Sequence, residues 1–333
     1  MRFPLKQTVN IARYMRQQKK AGVARFPLVL MLEPLFACNF TCSGCGRIHE
    51  YKEHMADMLS PTQCLKAIDE CGAPVVSICG GEPLLYPYLN EVVDGALARE
   101  RVVYLCTNGW ALDKKLGTFA PHPLFNINVH IDGTEKVHDA IVEREGAYKK
   151  ALNGIRLAKE RGFTVCTNTT VYKQTEVGDI LQLMGELRAA DIDGMLLSPG
   201  FDYKEVPDQA VFLDRREINA KFEGLRDAAR GTKVWSTPLF LDFLTGRRDY
   251  TCTPWGNVTY NVRGWKAPCY LITDEHLETY DDFINRVEWS KYGPSRDKRC
   301  ANCMCHCGFE ATVALETGSS LKDSLRMAWW MLK

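Results

Sequence analysis

The stretch Leu28-Val-Leu-Met-Leu32-Glu-Pro-Leu-Phe-Ala-Cys38-Asn-Phe-Thr-Cys42-Ser-Gly-Cys45 runs an apolar segment of strand length into three cysteines spaced x3 and x2. Asn39, Thr41, Ser43 and Gly44 fill the gaps, small or polar residues that let a chain wrap a metal group. Three thiolates hold only three irons of a four-iron cube, whereas ordinary ferredoxin sites use four cysteines, so one iron stays open. An open iron can be chelated by the amino and carboxylate groups of S-adenosylmethionine (SAM). The sulfonium then stands where one reducing electron breaks its bond to C5′. A structural zinc completed by His49 is the competing reading, and it needs four ligands in a tetrahedral array.

Outward from this loop, short β-rich runs alternate with longer amphipathic ones from residue 26 to 200, the pattern of a parallel sheet with crossover helices. Strands are predicted over Leu28–Leu32, Val75–Cys79, Val102–Thr107, Phe125–Ile131, Thr164–Val171 and Met195–Ser198. Ser60-Pro61-Thr62-Gln63 offers an N-cap, a first-turn proline and a capping-box glutamine, which predicts a helix over Leu59–Cys71. Further helices are predicted over Leu89–Glu100, Ala147–Arg161 and Val177–Ala190. The unusual residues cluster at strand ends: Cys38–Cys45, Gly80-Gly81-Glu82-Pro83, Thr107-Asn108-Gly109, Asp132-Gly133 and Ser198-Pro199-Gly200, with Asn168 and Thr170 inside the fifth strand. Loops at the carboxyl ends of parallel strands share one face, so these segments are expected to line one mouth.

Composition is that of a globular enzyme, 46% apolar with a net charge of +1, and shows no field for nucleic acid. No apolar run approaches the roughly 18 residues of a membrane span. Met1 to Ala24 carries no signal-peptide pattern, which points to the cytoplasm. Fourteen cysteines at ligand-like spacings in such a chain imply metal or redox chemistry, not disulfides. Cys64, Cys71, Cys79, Cys106 and Cys166 are scattered, and a buried small hydrophobe is the default for each. Past residue 200 the rhythm gives way to Trp, Pro, Gly and Cys. The expected division is a basic amphipathic helix over 1–25, a barrel over 26–210 and a separate, loop-rich, metal-stapled cap over 211–333.

Cys38-x3-Cys42-x2-Cys45, with Gly80-Gly-Glu-Pro83 after the second strand, resembles the radical SAM superfamily over residues 26–200. The resemblance implies a partial (β/α)6 barrel of the α/β class and a [4Fe–4S] cluster on Cys38, Cys42 and Cys45. It also implies that Gly80, Gly81, Glu82 and Pro83 meet the SAM amino group. Thr107, Asn108, His130, Asp132, Asn168 and Thr170 fall near the places where similar enzymes meet the rest of SAM, though a satisfied turn residue is the plain alternative for each.

Longer strings carry the likeness further: Phe26-Pro-Leu-Val-Leu-Met-Leu-Glu-Pro-Leu-Phe36, Cys106-Thr-Asn108, Val129-His-Ile-Asp-Gly133, Ser198-Pro-Gly200, Pro207-Asp-Gln209 and Phe212-Leu-Asp-Arg-Arg216. With Cys252-Thr-Pro-Trp-Gly256, Gly264-Trp265, Pro268-Cys-Tyr270 and Cys300-Ala-Asn-Cys303 they resemble the radical SAM adenosylhopane synthases of hopanoid biosynthesis across nearly the whole chain. That family adds the 5′-deoxyadenosyl radical to the terminal alkene of diploptene and consumes SAM as a cosubstrate. The carbon radical left on the hopane must receive the equivalent of a hydrogen atom, as an atom or as an electron followed by a proton. Cys106 is the candidate donor, with a buried core cysteine as the alternative. The resemblance further implies flavodoxin or ferredoxin as electron donor.

Cys252-x16-Cys269 followed by Cys300-x2-Cys303 resembles the twitch or SPASM caps that hold an auxiliary [4Fe–4S] cluster. Cys307 could replace Cys252 or Cys303, Cys305 is surplus, and a zinc site of four cysteines remains open. A bilayer substrate suggests peripheral membrane contact through Leu5, Val9, Ala12 and Met15 with Lys6, Arg13, Arg16, Lys19 and Lys20, or through Leu325, Trp329, Trp330, Met331 and Leu332. A helix packed on the barrel explains the first set equally. The competing functions are a radical SAM maturase of a peptide and an iron–sulfur or zinc scaffold protein, the latter leaving Glu82 without a role.

Overall fold

The computed structural model describes residues 4–230, 232–318 and 320–332, and residues 1–3 of the expected N-terminal segment lie outside the described residues. In chain order the barrel begins with α1 (Leu5–Lys20), β1 (Val29–Glu33), α2 (Gly46–Glu50), α3 (Pro61–Cys71) and β2 (Val75–Ile78). It continues through α4 (Leu89–Ala98), β3 (Val102–Thr107), α5 (Leu112–Lys115), β4 (Phe125–His130), α6 (Glu135–Ile141), α7 (Ala147–Glu160) and β5 (Thr164–Val171). Then come α8 (Val177–Ala189), β6 (Gly194–Pro199), α9 (Arg215–Arg230), α10 (Pro238–Leu244), β7 (Asn257–Asn261), β8 (Gly264–Pro268) and β9 (Thr273–Leu277). The chain closes with α11 (Tyr280–Arg286), α12 (His306–Thr317) and α13 (Leu321–Leu332).

Each predicted strand is present with its ends shifted by a residue at most. The capping box of α3 forms as its sequence dictates, Ser60 Oγ accepting from Gln63 N while Ser60 N donates to Gln63 Oε1 at 2.8 Å. The two faces of each strand divide the work. On β4, Ile127 and Val129 belong to the core cluster, while Asn128 and His130 line the interior cavity, as the two-residue period of a strand requires. Register sets Cys106 beside Asn128 and Asn128 beside Cys166. The floor is therefore polar: Ser77 Oγ lies 3.2 Å from Cys106 Sγ, Asn128 Nδ2 donates to Cys106 Sγ at 3.5 Å, and Cys166 Sγ donates to Asn128 Oδ1 at 3.5 Å.

The stretch after residue 200 departs from the expected separate, loop-rich unit. One sheet runs β6-β5-β4-β3-β2-β1-β7-β8-β9, and β7 pairs in parallel with β1 from Val29↔Asn257 to Glu33↔Asn261. The physical reason is the edge of β1, whose buried backbone groups need partners on both sides. At the opposite end, residues after α9 cover β6, with Trp235 N donating to Met195 O at 2.8 Å and Leu197 N to Ser236 Oγ at 2.9 Å.

Helix α1 closes the base. Gln7, 1% exposed, donates through Nε2 to Asn126 Oδ1 and Pro123 O, both at 3.0 Å. Its apolar residues divide, Ile11 and Met15 packing inward while Leu5 and Val9 stay exposed. Among the described residues no helix is long and apolar enough to cross a membrane.

Candidate functional site

A cavity of about 270 Å³ opens at the carboxyl ends of the strands. Cys38, Cys42, Cys45, Gly80, Gly81, Glu82, Cys106, Thr107, Asn108, His130, Asn168 and Thr170 all line it, so segments hundreds of atoms apart in the chain do meet at one mouth. Pro83 and Asp132 do not line it, nor does His49. Among the described residues no three His, Cys, Asp or Glu side chains converge tightly enough to hold a single metal ion. A four-iron cube makes no such demand, because each thiolate takes a different iron. All fourteen cysteines are free of disulfides.

The cysteine loop is braced from the α6–α7 turn. Arg144 donates to Asn39 O at 2.7 Å and lies 4.0 Å over the Trp110 ring, whose edge meets Phe40. Ser43 N donates to Ile141 O at 2.9 Å and Thr41 Oγ1 to Glu143 at 3.0 Å. Such a frame holds three thiols in place without using them as its own hydrogen-bonding struts.

The glycines let the backbone after β2 lie close against the segment entering the cysteine loop. A Cβ on Gly81 would lie 2.2 Å from Ala37 O, and one on Gly80, at φ 104°, 2.4 Å from Leu35 O. The Gly-Gly backbone is stitched to the strand leading into the cysteine loop, Gly81 N donating to Leu35 O and Glu82 N to Ala37 O. Glu82, 1% exposed, is then held by three donors: Leu84 N and Thr107 Oγ1 on Oε1 at 3.0 and 2.7 Å, and Asn108 N on Oε2 at 2.8 Å. Thr107 and Asn108 thus orient Glu82 from behind. Burial pushes the Glu82 carboxyl up while these bonds pull it down. One acceptor position on Oε2 remains for a ligand's ammonium.

Asp132 sits behind His130 in the same way. Its carboxylate pairs with His130 Nε2 at 2.5 Å and accepts from Thr170 N at 2.6 Å while fully buried. Burial alone would lower the His130 pKa, but Asp132 and then Glu82 outweigh it and raise it, favouring the imidazolium. Asn168 Oδ1 is buried and has no hydrogen-bond partner. An orphaned acceptor of this kind in a cavity marks a place for a bound donor. Cys106, pushed up by burial against bonds to Ser77 and Asn128, stays a neutral thiol.

Sequence reasoning missed the ionic floor beneath the loop. Arg47, two residues past Cys45, pairs with Glu33 at 2.8 Å and Glu50 at 2.6 Å, donates to Tyr270 O, and lies 4.2 Å over the Tyr270 ring. Lys266 of β8 reaches Glu50 at 3.1 Å, and Asn261 of β7 donates to Glu33 at 3.2 Å. Two positive and two negative groups balance, which is the condition for keeping charges buried. Burial lowers the Lys266 pKa to about 8, with Arg47 adding to the shift. No local pattern signals Lys266, Tyr270 or Asn261 as partners, which come from more than 200 positions away.

The C-terminal cysteines also gather. Cys252, Cys269, Cys300, Cys303 and Cys307 line a second cavity of about 30 Å³, closed by Phe201, Leu271, Ile272 and Phe309. Cys305 turns from it, donating to Pro199 O at 3.3 Å, and Cys307 borders both cavities.

Residues 32–187 match the profile of the radical SAM superfamily of enzymes, which use a [4Fe–4S] cluster and SAM. Residues 195–327 match a domain of unknown function, DUF3463. The chain is 30% identical to pre-heme d1 synthase of Dinoroseobacter shibae over 47% of its own length and 39% of that protein's. It is 26% identical to mycofactocin maturase MftC of Mycobacterium ulcerans over 63% and 50%. The chain therefore spans half or less of these curated relatives. Among solved structures, Streptococcus suis SuiB bound to precursor peptide SuiA aligns with a TM-score of 0.65 and 12% identity, covering 93% of this chain and 77% of that one. That likeness is one of fold: a parallel radical SAM sheet with a C-terminal extension.

Proposed function

We propose that the chain adds the adenosyl group of SAM to the terminal alkene of a triterpene, diploptene, forming adenosylhopane. The carrying observation is Cys106: a neutral thiol on the wall of the cavity that Cys38, Cys42 and Cys45 share. An enzyme that adds a radical to an alkene must return the equivalent of a hydrogen atom to the product, whereas one that only abstracts hydrogen need not. The near full-length sequence resemblance supports the same reading.

The donor set fits the cluster and SAM: three free thiols, one acceptor position on Glu82 and the orphaned Asn168 Oδ1 face one cavity. Cys38, Cys42 and Cys45 would hold the cluster, which would supply one-electron reduction of the sulfonium. Glu82 holds the amino group, with Thr107 and Asn108 fixing its carboxylate. His130, whose pKa Asp132 raises, faces negative groups of SAM. Cys106 gives its S–H hydrogen to the tertiary carbon radical left after C–C bond formation, and the resulting thiyl regains one electron from a flavodoxin or ferredoxin and one proton from water. Four of Cys252, Cys269, Cys300, Cys303 and Cys307 would hold a second [4Fe–4S] cluster. Exposed Leu321, Leu325, Trp329 and Leu332 on α13 form the surface that meets the bilayer, in place of α1, whose Gln7 is committed to the barrel base.

Peptide maturation is the second reading, favoured by the names of MftC and SuiB. Anaerobic incubation with SAM, reductant and diploptene separates the two. The adduct mass of adenosylhopane is expected. Free 5′-deoxyadenosine with no adduct would refute the proposal. Cys106→Ala should still cleave SAM while the reduced adduct collapses, and an undiminished yield would remove Cys106 from its role.

A further inference from the structure

We infer that His306, from the C-terminal half of the chain, completes the SAM site and holds its adenosyl end. The inference rests on the SAM binding proposed above. His306 lines the same cavity as the three loop cysteines, and its Nδ1 is buried without a hydrogen-bond partner. A buried nitrogen left unpaired is unfavourable, so a ligand group that bonds to it is favoured there.

Position argues for the adenosyl end. The His306 backbone N donates to Ser198 Oγ at 3.1 Å, which pins the start of the twelve-residue helix α12 to the carboxyl end of β6. Glu82 follows β2, and the sheet order β2-β3-β4-β5-β6 sets four strand steps between them. A ligand whose amino group sits at Glu82 must extend its other end along β4 and β5 toward β6. Asn168 Oδ1, the second buried and unpartnered acceptor, stands on β5 along that line. A neutral imidazole carries one donor and one acceptor nitrogen, which suits ribose hydroxyls or the edge of a purine. Its attachment also explains a composite site: the barrel strands hold the amino-acid half and α12 the nucleoside half.

The test measures affinity on anaerobically reconstituted full-length protein, using SAM, 5′-methylthioadenosine and methionine as three separate probes. His306→Ala should weaken SAM and 5′-methylthioadenosine by about tenfold, the worth of one hydrogen bond, and leave methionine unchanged. An asparagine amide reaches the place of Nδ1 and a glutamine amide does not. His306→Asn should therefore bind within about threefold of the parent and His306→Gln should bind as weakly as the alanine variant. Iron per chain and circular dichroism are read on every variant. If His306→Ala fails to fold, the Asn and Gln pair decides. Equal affinity in that pair, an alanine variant within about twofold of the parent, or a loss confined to methionine overturns the inference. A parent protein that binds no SAM at all overturns the proposed function first and this inference with it.

Discussion

The thiols of Cys38, Cys42 and Cys45 border about 270 Å³ of free space, while those of Cys252, Cys269, Cys300, Cys303 and Cys307 surround about 30 Å³. The first cavity is walled by carboxylate, imidazole and amide groups, two of them bearing buried unpartnered atoms. The second is walled by Phe201, Leu271, Ile272 and Phe309. Cysteine count alone would rank the second as the richer site. Free volume and unsatisfied polarity reverse that order, because chemistry needs room for a reactant and polar groups to orient it. The first cavity is built to admit a molecule, and the second only to enclose its own ligand atoms.

Four experiments can break or sharpen this contrast. Cys42→Ala should abolish reductive formation of 5′-deoxyadenosine, a loss of at least about a thousandfold, equivalent to about 4 kcal/mol of barrier. Persistent cleavage would show that the open cavity is not the reacting one. Cys269→Ala should remove the second site's iron, read by metal analysis and electron paramagnetic resonance, while SAM cleavage survives within about tenfold. Zinc in the parent protein in place of that iron would leave the second cavity as a zinc site. Glu82→Gln removes the charge that meets an ammonium and should weaken SAM binding by about thirtyfold, with iron content unchanged. Unchanged affinity would exclude Glu82 as a contact.

The smallest effect concerns α12, the helix that both cavities share. Burial raises the Glu310 carboxyl from 4.5 to about 7, against bonds from Thr237 N and Oγ1. Between those values the folded chain binds a proton that the unfolded chain does not. Stability is therefore highest below the lower value and falls as pH rises through the upper one. Glu310→Gln should flatten that fall, seen as a difference of about 2 °C in the Tm change between pH 5 and pH 8. Parallel pH profiles for parent and variant would contradict the assignment.

The barrel was legible because its signals are local. Alternation in Phe125–His130, the Ser60–Gln63 capping box and the turn residues after each strand are properties of a few consecutive positions. The mouth followed from strand polarity. What stayed hidden depends on distant pairing. Nothing near Val29 announces Asn257 as its neighbour, and nothing near Arg47 announces Lys266. The same limit explains the residues that orient others. Thr107, Asn108 and Asp132 read as polar residues at strand ends, but that Thr107 and Asn108 hold Glu82 and Asp132 holds His130 depends on distant pairing. Helix α1 read equally as a membrane element and as a helix packed on the barrel, and the buried Gln7, which ties it to Asn126, gave no periodic signal to decide between them.

Placing β7 against β1 has a consequence for how the molecule matures. The strand that carries the cysteine loop gains its second flank only from residues 257–261, and the charge beneath the loop is balanced only when Lys266 arrives. During synthesis most of the chain must leave the ribosome before the loop's platform is whole. Iron delivered earlier would meet three thiols on a frayed edge, so the order of assembly is written into the strand order: polypeptide first, metal afterwards.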